Sequence, residues 1–150
     1  MKFYIATDHA GYAVKEFAKD YVRSLGHEII DLGPDNGDRV DYPDFAKKCA
    51  HAVVEDEGSF GILICGTGIG ISIAANKVAG IRAALCHDAY TASATRAHND
   101  ANILCFGERV VGKGVVESMI DAFCSTSFEG GRHEGRVDKI EGCSLGANLG

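Results

Sequence analysis

The chain has 150 residues, a mass of 15.9 kDa, a net charge of −6 at pH 7 and a pI near 5.4. This length suits a single domain with a real hydrophobic core, and the acidic balance argues against a surface that binds nucleic acid. The sequence has neither a signal-like N-terminus nor an apolar run of membrane-spanning length, so we expect a cytoplasmic protein with no membrane partner.

Six cysteines are spread along the chain without a CxxC pair, and most of them fall in apolar periodic segments. Free thiols are therefore favoured over disulfides. The spacing of cysteine and histidine residues does not match that of zinc sites, so we expect no metal ion.

Apolar periodicity and turn residues divide the chain into alternating strands and helices. In chain order the predicted elements are a strand at 3–7, a helix at 14–25, a strand at 28–32, a helix opening at 41–44, a strand at 62–64, a helix after Gly70, a strand at 81–85, a helix at 88–97, a strand at 101–106, a helix at 115–123 and a short helix at 134–140. Asp44 is the predicted cap of the second helix, and residues 98–100 are a predicted turn.

Five strands that alternate with helices predict one parallel sheet covered by helices on both faces, a three-layer α/β/α Rossmann-like fold. We assign residues 1–142 to a single domain and 143–150 to a flexible tail. In such sheets ligands bind at the carboxyl ends of the strands. That rule groups Asp8 and His9, which follow the first strand, with residues 65–70, which follow the third. His98 and Asn99 precede a strand and so lack this support.

The glycine-rich loop is the most informative stretch of the sequence. Gly66, Gly68 and Gly70 come between a buried strand and a helix, where open backbone N–H groups favour an anion such as a phosphate or a forming oxyanion. Cys65 lies at the edge of this nest, and a thiol beside a helix N-terminus is a candidate base or nucleophile.

Nucleotide binding stays open as an alternative use of the same loop. The glycine spacing is not GxGxxG, and no Walker A lysine follows. Asp88 nevertheless comes after the next strand, where a dinucleotide fold places its ribose-binding acid.

Basic residues near the C-terminus offer a site for an anionic substrate. Arg132 and Arg136 are four residues apart, so on a helix they share a face and could hold one phosphate. A solvated basic face is the alternative. Arg109, just after the fifth strand, is a further candidate.

Five motifs in order along the chain carry a family resemblance: Asp8-His9-Ala10-Gly11, Asp41-Tyr42-Pro43-Asp44, Cys65-Gly66-Thr67-Gly68-Ile69-Gly70, His98-Asn99-Asp100-Ala101-Asn102 and Gly130-Gly131-Arg132-His133. The sequence resembles the type B ribose-5-phosphate isomerases over nearly its whole length. That family also includes allose-6-phosphate and galactose-6-phosphate isomerases.

The resemblance implies an enzyme without metal or cofactor that interconverts ribose 5-phosphate and ribulose 5-phosphate through an enediolate, in the non-oxidative pentose phosphate pathway. It implies a homodimer, in some cases a tetramer, with active sites at the subunit interface. A hexose phosphate isomerase of the same family and a non-catalytic phosphate or nucleotide binder are the alternatives.

The resemblance also implies roles for single residues. Cys65 matches the cysteine that carries the proton, and Ile71 stands where a second branch of the family has a glutamate. His98, helped by Thr67, would open the sugar ring. The expected substrate-binding residues are Asp8 and Tyr42 for hydroxyl groups, Asn99 near the reacting end, His9, Arg109, Arg132 and Arg136 for the phosphate, and the backbone of Gly66, Gly68, Ile69 and Gly70 for the enediolate oxygen.

Overall fold

The computed structural model describes residues 1–144, and it describes side chains through residue 142. Five parallel strands form one sheet in the order β2-β1-β3-β5-β4. The strands are β1 (Lys2–Thr7), β2 (Glu28–Asp31), β3 (Phe60–Cys65), β4 (Ala83–Leu85) and β5 (Ile103–Gly107). The predicted fold class and the parallel sheet are therefore confirmed.

Helices cover both faces of the sheet. They are α1 (Tyr12–Ser24), α2 (Tyr42–Glu55), α3 (Ile69–Ala75), α4 (Ala89–Asn99), α5 (Lys113–Ser125) and α6 (Arg132–Ser144), with a short 3-10 turn at His9–Gly11 before α1. Buried side chains of α1, α4 and α5 pack on one face of the sheet, and those of α2 and α3 pack on the other. None of these helices, within the part of the chain that is described, is both long and apolar enough to cross a membrane.

Three details differ from the sequence-based expectation. The second helix begins at Tyr42, so Asp41 occupies the capping position and Asp44 lies in the first turn. Pro43 can lie in the first turn of a helix because the N–H groups there have no partner within the helix, so nothing is lost when the proline lacks one. The helix therefore begins before Pro43, and Asp44 is not its cap. The expected turn at 98–100 is instead the end of α4, with Asp100 as its C-cap. The last helix is longer than predicted and ends at Ser144.

The predicted free thiols are confirmed where side chains are described. The free cysteines are Cys49, Cys65, Cys86, Cys105 and Cys124. Cys143 lies outside the described side chains, and the predicted tail beyond 144 lies outside the described residues.

The sheet order places a switch in chain direction between β1 and β3. The chain leaves β1 toward β2 on one side and leaves β3 toward β4 and β5 on the other. A crevice at the carboxyl ends of the strands is expected at such a point. The two strand ends are joined directly there, because the N–H of Asp8 donates to the carbonyl of Ile64 at 3.2 Å.

Helix α4 carries the chain back from one edge of the sheet to the other. It begins after the carboxyl end of β4 and ends just before the amino end of β5. Its 11 residues correspond to a rise of about 16 Å. His98 and Asn99, in its last turn, therefore lie toward the amino edge, opposite the carboxyl edge where β3 ends.

A buried ion pair fixes the chain after β2 against α1. Lys15 is almost fully buried, and its ammonium donates to Asp31 at 3.1 Å and to the carbonyl of Pro34. Lys19 donates to the other oxygen of Asp31 at 2.8 Å. Burial alone would raise the pKa of Asp31, but the hydrogen bonds from Lys19, from the Gly33 N–H and from Lys15 outweigh it and hold that pKa below its usual value.

We predict that Asp31→Asn lowers the free energy of unfolding by about 2 kcal/mol at neutral pH, because it leaves the buried Lys15 charge without its carboxylate. A carboxyl whose pKa is depressed in the folded state stabilises the protein above the unfolded pKa and stops doing so as the pH falls through the folded value. The deficit of the variant should therefore narrow below a pH of about 4. Urea unfolding across this pH range measures it.

Asp20→Asn is the matched control, since that carboxylate is exposed and makes only a 4.0 Å pair with Arg23. A loss as large in the control, or a deficit for Asp31→Asn that stays constant with pH, would contradict the account.

Candidate active site

The loops after β1 and β3 enclose an open pocket of about 500 Å³ at the carboxyl edge of the sheet. Its lining residues are Asp8, His9, Ala10, Tyr42, Cys65, Gly66, Thr67, Ile69, Gly70, Ile73 and Arg109. Two groups that are far apart in sequence, one after each strand, thus meet at the predicted edge. Arg109 joins them from the loop that follows β5.

Cys65 is the last residue of β3 and is buried at the base of this pocket. Its sulfur accepts a hydrogen bond from the Gly68 N–H at 3.1 Å. Its carbonyl accepts from the N–H of Glu108 at 2.9 Å, so the sheet fixes the main chain at this point. A backbone donor aimed at the sulfur stabilises negative charge there, as a base that acts as a thiolate requires.

Each glycine of the loop makes room for a specific neighbour. Gly68 has a φ of 80°, and a Cβ at this position would lie 2.6 Å from a methyl carbon of Leu85 and 2.7 Å from the main chain of Phe106. At Gly66 a Cβ would lie 3.0 Å from the Arg109 guanidinium, and at Gly70 it would lie 2.6 Å from the Tyr42 ring. The glycines therefore let Arg109 and Tyr42 approach the loop closely.

The loop uses some of the backbone donors that were expected to face a substrate. The Gly68 N–H is taken by the Cys65 sulfur, and the Ile69 N–H donates to the hydroxyl of Thr67 at 3.1 Å. Gly68 and Ile69 thus orient the thiol and the hydroxyl. We expected the N–H groups at 66–70 to act together on an oxyanion. The Gly68 and Ile69 N–H groups already have partners within the loop, so that expectation does not hold for these two donors.

Asp8 and His9 reach the pocket from the end of β1. One oxygen of the nearly buried Asp8 accepts from the N–H groups of Ala10 and Gly11, at 2.9 and 3.1 Å. The Nδ1 of His9 lies 3.2 Å from the carbonyl and 3.3 Å from the nitrogen of Val40, so the His9 ring is tied to the loop before α2. Tyr42, at the start of α2, is partly exposed above Gly70.

Four predicted site residues do not join this pocket within one chain. His98 and Asn99 end α4, and Arg132 and Arg136 lie exposed on α6. None of them is among the described residues that line the Cys65 pocket. Asn99 lines a separate cavity of about 350 Å³ beside Arg82. The structure therefore divides the predicted site into two parts at opposite edges of the sheet.

Three residues in the second part could be considered for a metal ion. His98, Glu129 and His133 each offer a ligand atom, and these atoms lie within 4.8 Å of one another. The two imidazole rings, however, are stacked with an angle of 17° between their planes. Nitrogen lone pairs lie in the ring plane, so stacked rings aim them side by side rather than at one common ion. The arrangement fits ring packing better than metal coordination.

The structure does not favour the nucleotide-binding alternative, because Asp88 has another role. Asp88 caps α4, accepting from the N–H of Thr91 at 2.8 Å in a reciprocal capping box. The hydrogen bonds from the Thr91 backbone and hydroxyl lower the pKa of this carboxyl. Its carboxylate is therefore used within the helix start and is not held ready for a ribose.

Sequence reasoning missed three residues that shape the pocket. Ile73 lines it one turn along α3 from Ile69. Glu108 accepts from the N–H of Val14 at 2.7 Å, which ties the loop that carries Arg109 to the start of α1. Gly107 lies so close under Thr67 that a Cβ would be 2.5 Å from its carbonyl carbon. For Gly107 and Glu108 the available signal was the run of a glycine and two charged residues, Gly107 to Arg109, at the end of β5.

Comparison with known proteins identifies the family of the chain. Residues 3–140 match the Ribose/Galactose Isomerase family, and the chain belongs to that family. The resemblance inferred from the five motifs is confirmed.

Individual relatives cover almost the whole chain. It is 52% identical over 141 residues to the putative sugar phosphate isomerase YwlF of Bacillus subtilis, which covers 93% of this chain and 95% of that protein. It is 47% identical over 139 residues to ribose-5-phosphate isomerase B of Escherichia coli, covering 93% of each. The structure of Clostridium thermocellum ribose-5-phosphate isomerase B matches with a TM-score of 0.95 and 49% identity, covering 99% of this chain and 100% of that chain.

We predict that Gly68→Ala destabilises the protein much more than Gly26→Ala. Both glycines have a positive φ, 80° and 88°, but nothing lies within 4 Å of a Cβ at Gly26. The control should lose about 1 kcal/mol for the left-handed backbone. Gly68→Ala should lose roughly 2 kcal/mol more, because its methyl group meets fixed backbone. Urea unfolding measures both, and equal losses would show that the loop is not tightly packed.

Proposed function

We propose that this protein is an aldose–ketose isomerase that interconverts ribose 5-phosphate and ribulose 5-phosphate. The observation that carries the proposal is the Cys65 sulfur at the base of the pocket, with the Gly68 N–H bonded to it. Membership of an isomerase family and relatives named ribose-5-phosphate isomerase B support the same activity. The pentose is favoured over a hexose phosphate by those names.

The reaction moves one proton between neighbouring carbons. The Cys65 thiolate takes the proton from carbon 2 of the open-chain aldose, which leaves an enediolate, and returns a proton to carbon 1. One C–H bond breaks and one forms, the hydroxyl proton on the carbon-2 oxygen is transferred to the carbon-1 oxygen, and the thiolate is regenerated. Positioned acid–base catalysis of this kind contributes roughly two to four orders of magnitude in rate.

The other pocket residues would hold the sugar phosphate. Asp8 and Tyr42 offer oxygen atoms for sugar hydroxyls, and Thr67 lies beside the thiol with its hydroxyl already oriented. His9 and Arg109 would bind the phosphate, for which a guanidinium is well suited. In this proposal the Gly66 and Gly70 N–H groups are the backbone donors left to face the enediolate oxygen.

A complete site requires two copies of the chain. The ring of ribose 5-phosphate must open before a proton can move, and we assign this step to His98, with Asn99 beside it. Since His98 lies at the opposite edge of its own sheet, it would serve the Cys65 pocket of a second copy. Arg132 and Arg136 would reach the phosphate from that copy as well.

An apolar surface beside the pocket supports this arrangement. Ile69 and Ile73, one turn apart on α3, are 51% and 57% exposed, and Tyr42 next to them is 41% exposed. Exposed apolar side chains grouped at the rim of a site mark an interaction surface. We propose a homodimer that covers them. We further propose that the reaction needs no metal and takes place in a reducing compartment such as the cytoplasm, where free thiols persist.

We predict that the purified protein with a chelator converts ribose 5-phosphate in heavy water into ribulose 5-phosphate that carries deuterium at carbon 1. Cys65→Ala should lower kcat by two to four orders of magnitude, because it removes the base. Cys124→Ala is the matched control, a half-buried thiol on α5 far from the pocket, and should keep its activity. Proton NMR follows both. A Cys65→Ala protein with wild-type turnover would exclude the base, and no turnover by the wild type would exclude the activity.

A further inference from the structure

His133 is a residue of the second part of the site that the proposed reaction does not yet use. Its ring lies against that of His98, with 4.5 Å between the ring centroids and 17° between the planes. His133 is 6% exposed, whereas His98 is only partly buried. One imidazole is thus fixed inside the protein, and the other lies flat on it and faces outward.

The local structure holds His133 in this place. The N–H of Glu129 donates to the carbonyl of Ala97 at 3.0 Å, which joins the loop before α6 to the last turn of α4. The chain then turns through Gly130 and Gly131, both with positive φ, and α6 begins. The N–H of His133 donates to the carbonyl of Gly130 at 3.0 Å. These contacts fix where the His133 ring stands relative to the end of α4.

The surroundings of His133 disfavour its protonated form. Burial is the largest cause that lowers its pKa, followed by His98 and Arg132 and, less strongly, Arg136. Glu129, whose carboxylate lies 3.5 Å from the Nε2 of His133, acts in the opposite direction. The net effect lowers the pKa of His133 and so favours its neutral form. A neutral ring can stack on His98 whether or not His98 carries a proton, whereas two protonated rings at this distance would repel each other.

We propose that His133 is a positioning residue for His98: its buried ring stacks on the His98 imidazole and holds it in the orientation that ring opening of the sugar requires. This inference rests on the proposed function, since it assigns His133 to the ring-opening step of that reaction. This role does not require His133 to contact the substrate. Loss of the stack should impair ring opening and leave proton transfer at Cys65 largely intact.

The test compares His133→Ala with His133→Phe, which keeps a flat ring but has no titratable nitrogen. In heavy water, wild-type protein and variants are given ribulose 5-phosphate, which has no ring to open because its carbon-5 oxygen bears the phosphate. Deuterium entering carbon 1 of the remaining ketose reports proton transfer. Formation of ribose 5-phosphate reports the complete reaction, which in this direction includes ring closure, the reverse of ring opening. For His133→Ala the ratio of the first rate to the second should rise about tenfold over wild type.

The Phe variant should stay within about threefold of the wild type in both rates, because it preserves the stack. His51→Ala, which removes an exposed histidine of α2, is the matched control and should match the wild type. A His133→Ala protein that behaves like wild type would overturn the proposal. So would a parallel fall of both rates, which indicates a merely structural role, or a Phe variant as impaired as the Ala variant.

A second measurement does not depend on activity. Ring protons of His98 should be shifted upfield by the neighbouring ring in proton NMR spectra of the wild type and of His133→Phe, and the shift should disappear in His133→Ala. An unshifted His98 in the wild type would overturn the stack itself. An inactive wild-type protein with the shift present would instead refute the proposed function, so the two failures are distinguishable.

Discussion

The hydrogen bonds that pair β3 with β1 on one side and with β5 on the other determine where each candidate functional residue lies. Register pairs such as Thr7 with Ile64, and Cys65 with Gly107, bring three strand ends to one edge of the sheet. The residues that follow these ends, around Asp8, Cys65 and Arg109, therefore form one pocket. The same parallel pairing requires every connection to return to the amino edge, and α4 leaves His98 there. A single chain with this topology holds the two parts of the proposed site apart.

The loop after β3 lines the pocket at this edge and positions the Cys65 thiol. Two of its glycines are needed for close packing rather than for flexibility. Tyr42 and Arg109 occupy the space that side chains at Gly70 and Gly66 would need. Gly68 both turns the chain and donates to the Cys65 sulfur. Substitution in this loop thus affects packing and the thiol together. The second part of the site is ordered differently, by ring stacking and by backbone contacts between α4 and the loop before α6.

Much of the fold and one part of the site could be predicted from sequence, for physical reasons that also explain the failures. Alternation of strands and helices predicts parallel strands, and parallel strands place Asp8 and Cys65 at one edge. The predicted cap of α2, Asp44, was wrong because Pro43 can lie inside a first helical turn, so the capping position is Asp41. The stack of His98 on His133 joins residues 35 positions apart on two helices, and no local pattern encodes such a contact. The role of His98 came from family resemblance alone.

The central claim is that Cys65 and His98 of different copies form one site. Its most direct test mixes unfolded Cys65→Ala and His98→Asn chains in equal amounts, refolds them and measures turnover of ribose 5-phosphate. Each variant alone is expected to be nearly inactive. Random pairing makes half of the dimers mixed, and each mixed dimer holds one intact site, so the mixture should regain about a quarter of the wild-type activity. A mixture with only the summed activity of its two parents would contradict a site shared between copies.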